Sequence, residues 1–172
     1  MKDLVPHTLN PGNCRTEWST YSALLSAKPT PDCFAHEYEI DGDFVADLVV
    51  GDSTTQHYLL VEFENGAADS VFKQKGKKAT PDWAPRFEGA YSQIIDWLWK
   101  LEDKRSTADF TNTFGSRRAN FQGLIVIGKG MKLSQQEKDR LKWRMDRTMI
   151  DSNAVSMVSF DELSDDLDHW LK

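Results

Sequence analysis

Two neighbouring apolar runs of the sequence carry acidic residues where a buried strand ordinarily carries none. Residues 43–50 (DFVADLVV) contain Asp47 between apolar neighbours, and residues 58–64 (YLLVEFE) end in Glu62 and Glu64. Glu62 and Glu64 are two residues apart, so in a strand their side chains leave the same face. Carboxylates are rarely buried unless they are paired or bind a metal, and like charges on adjacent strands repel unless a cation lies between them. The two strands therefore predict a divalent-metal site.

The bulk properties of the chain are those of a globular protein. Its 172 residues are enough for one domain with a full hydrophobic core, which we expect over residues 15–172. Residues 1–14 are polar and broken by proline and glycine, and we expect a loosely held arm there. The net charge of −6 argues against a protein that coats nucleic acid by bulk charge, but it does not exclude a local basic patch or a metal site.

No feature of the sequence indicates export or membrane insertion. No apolar run approaches the roughly 20 residues that span a bilayer, and the N-terminus has no hydrophobic signal region. The two cysteines, Cys14 and Cys33, form no CxxC pair and suggest no disulfide framework. We therefore expect a cytoplasmic protein that does not bind membranes.

Hydrophobic periodicity predicts the order α-β-β-β-α-β-α-β, an α/β (α+β) fold in which helices flank a central mixed sheet. The first three strands should form an antiparallel meander, since Asp41-Gly42 is a strong hairpin signal. Residues 105–118 are expected to be a polar loop, and Ser134 to Glu137 form a capping box. The predicted helices cover residues 16–27, 86–104 and 134–150, and the predicted strands cover 34–40, 43–50, 58–64, 121–127 and 155–160. The acidic segment over residues 161–172 is expected to end in a short helix.

The long connection over residues 67–85 is the most basic stretch of the chain. A connection of this length is usually functional or mobile. Lys73 and Lys75, together with Arg86 after them, are candidates for contacts to nucleic-acid phosphates. A solvated surface loop is the alternative for the lysines.

The acidic strands also resemble the metal site of a known nuclease superfamily. Asp47 followed by Glu62-Phe-Glu64 is similar to the PD-(D/E)xK pattern, whose fold is restriction-endonuclease-like. On the following helix, Gln93-Ile-Ile-Asp-Trp97 resembles the Gln-x-x-x-Tyr motif of its RecB-like branch. The wider run of LLVEFEN, the lysine-rich loop and RFEGAYSQIIDWLWKLED resembles the nuclease domain of the Shedu anti-phage defence family, over about residues 15–130.

This resemblance implies an endonuclease that uses Mg²⁺ or Mn²⁺ to hydrolyse phosphodiester bonds of DNA. Asp47 and Glu62 would be metal ligands, Gln93 would support the site, and Glu17 on the first helix would add a further acid. Glu64 stands where the superfamily has a lysine. An acid there can accept a proton from water or bind a second metal ion, and a basic-loop lysine could restore the positive charge.

Three alternatives follow from the same residues. Asp47 would face water if its strand lay at an edge, and Glu62 and Glu64 would face water in an ordinary alternating strand. The presence of Glu instead of Lys at position 64 also allows a catalytically inactive nuclease fold that binds nucleic acid or acts as a regulatory module. Activation by a partner protein or by self-association is a further expectation.

Overall fold

A computed structural model describes residues 31–150 and 152–170 of the chain. The described strands are β1 (Cys33–Ile40), β2 (Phe44–Asp52), β3 (His57–Phe63), β4 (Phe72–Lys73), β5 (Asp82–Trp83), β6 (Asn120–Val126), β7 (Met149–Ile150) and β8 (Asn153–Val158). The described helices are α1 (Pro85–Lys104), α2 (Ala108–Phe114), α3 (Gln135–Arg147) and α4 (Phe160–Trp170). Six strands form one sheet in the order β1-β2-β3-β6-β8-β7, and β4 pairs with β5 in a separate hairpin.

The first three strands form the predicted antiparallel meander. In the first turn Asp41 and Gly42 both adopt left-handed backbone conformations, with φ of 58° and 72°. Asp and Gly tolerate this region better than other residues, which explains why the pair forms this turn. Asp41 also forms an ion pair with Lys100, with 2.9 Å between Asp41 Oδ2 and Lys100 Nζ, so the turn is attached to α1. In the second turn, Asp52 Oδ1 accepts the Thr54 backbone N–H at 2.7 Å.

The central part of the sheet, from β3 through β6 to β8, is parallel. β3 pairs with β6 and β6 pairs with β8, with α1 and α2 in the first connection and α3 in the second. Parallel strands with helices on their faces are buried on both sides and have few polar residues. The stretch from Leu124 to Ile127 fits this rule, because all four of its residues are buried. The sheet is therefore mixed and flanked by helices, as predicted, in agreement with a restriction-endonuclease-like arrangement.

Each face of the sheet carries its own hydrophobic cluster. On one face α1 buries Ile94 and Trp97 completely. Gly123 of β6 lies beneath Ile94, and a Cβ at that position would come within 2.3 Å of Ile94 Cγ2. On the opposite face Phe160 and Leu163 of α4 pack on a smaller cluster. The members of that cluster are Leu48, Val50, Leu59, Val61, Leu124 and Val126.

The helix α3 begins at the predicted capping box but has no buried residue. Its Arg144 donates two hydrogen bonds to Glu88 of α1, at 2.6 and 2.9 Å. The same guanidinium lies 4.7 Å from the centre of the Trp83 ring and 4.5 Å from that of Tyr91. Charge and cation–π contacts thus supplement the partly buried apolar side chains of α3 in attaching it to the rest of the domain.

The prediction of a polar loop over residues 105–118 is wrong, because α2 lies within it. Thr107 is its N-cap and accepts the Phe110 N–H through its side chain, and the helix ends at Gly115 with φ of 77°. Phe110 and Phe114 are buried against the core. The helix has seven residues, which is too short for the helical period to stand out in the sequence.

Other boundaries differ in detail. The basic connection over residues 67–85 contains the β4–β5 hairpin, and α3 ends at Arg147, two residues before β7 begins. The last strand spans Asn153–Val158 rather than residues 155–160. The reason is a second capping box, in which Glu162 Oε2 accepts the Ser159 N–H at 2.7 Å and Ser159 Oγ accepts the Glu162 N–H. This box starts α4 at Phe160.

The predicted arm over residues 1–14 and the predicted helix over residues 16–27 lie outside the described residues. Within the described ranges, no helix is long and apolar enough to cross a membrane.

Candidate functional site

The acidic residues lie at the point where β2 and β3 separate. The pairing of these strands runs from Asp52 with His57 to Leu48 with Val61 and ends there. Beyond that point β3 continues beside β6, where Glu62 pairs with Ile125. Asp47 precedes Leu48 on β2 and Glu62 follows Val61 on β3, so these two acids lie next to each other just beyond the last β2–β3 backbone pair. At this fork the two carboxylates lie side by side at the end of the β2–β3 ladder, close enough to interact with each other.

The side chain of Asp47 takes part in forming this fork. Its Oδ2 accepts the backbone N–H of Phe63 at 2.7 Å, a donor on β3 past the last β2–β3 pair. The partner strand β1 is irregular at the same level, since Glu37 has φ of 48° and the regular pairing of β1 with β2 skips it. The sheet is thus distorted on both sides of Asp47. Distortions of this kind re-aim side chains and are common beside functional sites.

Glu62 is buried, with 7% of its surface exposed. It follows Leu60 on the face that α1 covers, whereas Val61 faces the opposite cluster. Its Oε2 atom is buried and has no hydrogen-bond partner. Burial, then the charges of Asp47 and Glu64, raises the pKa of Glu62 to about 8. A carboxylate in this setting carries a large desolvation cost unless a proton or a cation compensates it.

Glu64 lies just past the end of β3, and its backbone N–H donates to Val126 O at 2.9 Å. Its side chain is 16% exposed and pairs with Arg86, with 3.5 Å between Arg86 Nη1 and Glu64 Oε2. The same oxygen accepts the Asn65 N–H at 3.3 Å. Of the three acids of the fork, Glu64 is the one that forms an ion pair with a described residue.

The donor set has the chemistry that a hard divalent cation requires. Mg²⁺ takes oxygen ligands, usually one or two carboxylates with several waters. The unpartnered buried oxygen of Glu62 and the nearby carboxylate of Asp47 fit that requirement. Among the described residues no three His, Cys, Asp or Glu side chains are grouped closely enough to ligate one ion. The third acid is therefore an adjacent group rather than a member of a preformed three-carboxylate cage.

The remaining predicted residues in the described part of the chain, Gln93, Lys73 and Lys75, form no hydrogen bond or ion pair with the acids of the fork. Gln93 is partly buried on α1. Lys73 and Lys75 are exposed on the β4–β5 hairpin. A cavity of about 280 Å³ lies between this hairpin and the start of α1. It is lined by Lys73, Gln74, Lys75, Asp82, Trp83 and Pro85.

Comparison with known protein families matches residues 18–164 to the family described as Shedu protein SduA, C-terminal. The match spans most of the chain and includes the fork, the basic hairpin and α1. The chain belongs to the Shedu family. No curated protein matches it. Membership in the Shedu family implies a role in anti-phage defence.

For this Shedu domain the sequence identified the acids of the fork, but not how they are arranged. Glu17, the fourth predicted ligand, lies outside the described residues. The sequence does not predict the contact between Arg86 and Glu64, because the basic surroundings of Arg86 favour phosphate binding. One signal in the sequence could have suggested this contact. Arg86 is the second residue of α1, and only the basic β4–β5 hairpin separates this helix from the acidic strand β3.

Proposed function

We propose that this Shedu domain is a Mg²⁺- or Mn²⁺-dependent nuclease that hydrolyses phosphodiester bonds of DNA during anti-phage defence. The observation that carries the proposal is the Glu62 carboxylate, which is buried beside two further acids and has an oxygen without a hydrogen-bond partner. A folded chain retains such a group at a cost in stability, and a bound cation repays that cost. The restriction-endonuclease-like arrangement and the Shedu family support the same reading.

Each acid has a distinct task under this proposal. Asp47 and Glu62 hold the divalent ion, and Asp47 also fixes the fork through its bond to the Phe63 N–H. A divalent ion held there would lower the pKa of a bound water and would stabilise the departing oxygen. Glu64, in place of the lysine of related nucleases, accepts the proton that the attacking water loses. Gln93 helps to position the substrate or the acids from α1.

The substrate reaches the fork past a local basic surface. Lys73, Lys75 and Arg86 are exposed, and they follow the acidic strand in the chain. The net charge of −6 opposes binding of DNA elsewhere on the protein, so binding depends on this patch. Phosphate contacts made by these groups release counterions and make DNA affinity fall with salt.

A cleavage assay with Glu62 variants tests the proposal. We expect the wild-type protein to cut DNA in Mg²⁺ or Mn²⁺ and to stop in EDTA, whereas Glu62→Gln and Glu62→Ala remain at background while still folded. Glu39→Gln is the matched control, because Glu39 is an exposed glutamate on β1 outside the fork. Cleavage that survives both EDTA and Glu62→Ala would contradict the proposal, and an RNA substrate in parallel tests the choice of DNA.

A second candidate function is a nuclease-fold protein that binds nucleic acid or a regulatory partner without cutting. It is favoured by the absence of a three-ligand group in the described part of the chain, together with an acid at the position of Glu64. Calorimetric titration with Mg²⁺ and Mn²⁺ separates the two. Binding at millimolar concentration or below supports the nuclease, and no binding supports the non-catalytic protein.

A further inference from the structure

The contact between Arg86 and Glu64 combines a fixed partner with a movable one. Glu64 follows β3 directly, is attached to β6 through its backbone, and has a side chain that is only 16% exposed. Arg86 lies in the first turn of α1, and its side chain is 64% exposed. The separation of 3.5 Å is long for an ion pair, and pairs with an exposed partner are weak. The guanidinium can therefore leave at little cost, whereas the carboxylate stays.

The position of this pair connects the acidic fork with the basic surface. Glu64 contributes to the negative field that acts on Glu62. Arg86 follows Pro85, which lines the cavity that Lys73 and Lys75 also line. A planar guanidinium matches the geometry of both a carboxylate and a phosphate. One side chain thus has two chemically suitable partners, one on the protein and one on a nucleic-acid substrate.

We propose that Arg86 is an exchangeable counter-ion, which neutralises Glu64 until a divalent cation enters the fork and is then released to a phosphate of the substrate. This inference rests on the proposed metal-dependent function and adds a role for a residue at the same site. The cation and the guanidinium compete for the negative charge of the fork. Cation binding thereby makes a phosphate-binding group available in the step that prepares the site for chemistry.

Competition predicts that loss of Arg86 has opposite effects on two measurements. Without the guanidinium, Mn²⁺ meets an uncompensated Glu64, and its affinity rises about two- to fivefold, the range that weak exposed ion pairs supply. DNA cleavage falls by about tenfold or more, since a positive group near the reacting phosphate is lost. A residue that only supports the fold would lower both quantities together.

The experiment is a titration of the full chain with Mn²⁺, in which free Mn²⁺ is followed by electron paramagnetic resonance. The variants are Arg86→Gln, Arg86→Lys, Glu64→Gln and the double variant Arg86→Gln with Glu64→Gln. We expect Arg86→Gln to bind Mn²⁺ more tightly than wild type and Arg86→Lys to resemble wild type. In the Glu64→Gln background the Arg86 substitution should leave the affinity unchanged, because the partner of the guanidinium is already gone.

The matched control is Arg118→Gln, which removes an exposed arginine from the segment before β6, away from the fork. Its Mn²⁺ affinity should equal that of wild type. If Arg86→Gln binds Mn²⁺ no more tightly than wild type, Arg86 is not an exchangeable counter-ion. The proposal is also overturned if the Arg86 substitution raises the Mn²⁺ affinity by the same factor when Glu64 is already Gln. If the wild-type protein binds no Mn²⁺, the proposed metal site itself fails, so the two failures are distinguishable.

Discussion

The substitution Glu62→Gln should stabilise the protein at alkaline pH in the absence of metal. The pKa of Glu62 is about 8 in the folded state against an ordinary 4.5. Below pH 4.5 the side chain is protonated in both the folded and the unfolded chain, so it makes no pH-dependent contribution to the free energy of unfolding. As the pH rises towards 8, the unfolded chain releases the proton and the folded chain keeps it, so the free energy of unfolding falls.

The size of the effect follows from the same pKa values. Each unit of difference between the folded and unfolded pKa corresponds to about 1.4 kcal/mol, so a rise from 4.5 to about 8 removes at most on the order of 5 kcal/mol of stability above pH 8. That is a large part of the roughly 5–15 kcal/mol that stabilises a typical domain. Gln has the shape of the protonated acid and no charge, and it should escape this loss.

Urea unfolding in EDTA, from about pH 5 to about pH 9, measures the difference. We expect the wild-type free energy of unfolding to decline across this range relative to that of Glu62→Gln, with the Glu39→Gln control parallel to wild type. Parallel curves for wild type and Glu62→Gln would refute the reasoning, since they would mean that the Glu62 carboxylate is well solvated or compensated by a cationic group.

Two further predictions concern the scaffold around the fork. Arg144→Met removes the ion pair with Glu88, and it should destabilise the protein by about 1–2 kcal/mol in urea unfolding at neutral pH. Because the pKa of Glu88 is lowered mainly by its hydrogen bond with Arg144, the ion-pair stabilisation is present above pH 4.5 and disappears as the pH falls through the lowered value. The difference between variant and wild type should therefore narrow at low pH to the part contributed by the cation–π contacts of Arg144. Gly123→Ala should cost about 1–3 kcal/mol by thermal unfolding, since the added Cβ meets Ile94 at 2.3 Å. Gly89→Ala on the exposed side of α1, where nothing lies within 4 Å, should instead be neutral or stabilise by about 0.5–1 kcal/mol, and a loss there equal to that at position 123 would contradict the packing argument.

Much of the fold is readable from the sequence because its signals are local. Alternating apolar residues with Asp41-Gly42 between them specify a hairpin, and Ser134 with Glu137 specifies a helix start. The mixed sheet and the buried strand β6 follow from the same kind of pattern. The capping box at Ser159 is an equally local signal, and it marks the start of α4.

The arrangement of the site depends on contacts between distant residues, which local patterns do not encode. The fork exists because the Asp47 carboxylate, sixteen residues away in the chain, accepts the Phe63 N–H. The pairing of Arg86 with Glu64 and the attachment of Arg144 to Glu88 likewise join separate elements. The sequence could thus indicate that acids lie in buried strands. Which oxygen is left without a partner emerges only when the strands are assembled.

A crystal structure of the wild-type protein soaked in Mn²⁺, with anomalous diffraction measured at the manganese edge, tests the central claim most directly. The account predicts an anomalous peak in the fork, at about 2.0–2.3 Å from Glu62 Oε2 and in contact with Asp47, with Glu64 either in the coordination shell or joined to it through water. Strong Mn²⁺ peaks elsewhere on the protein, with none at the fork, would contradict it.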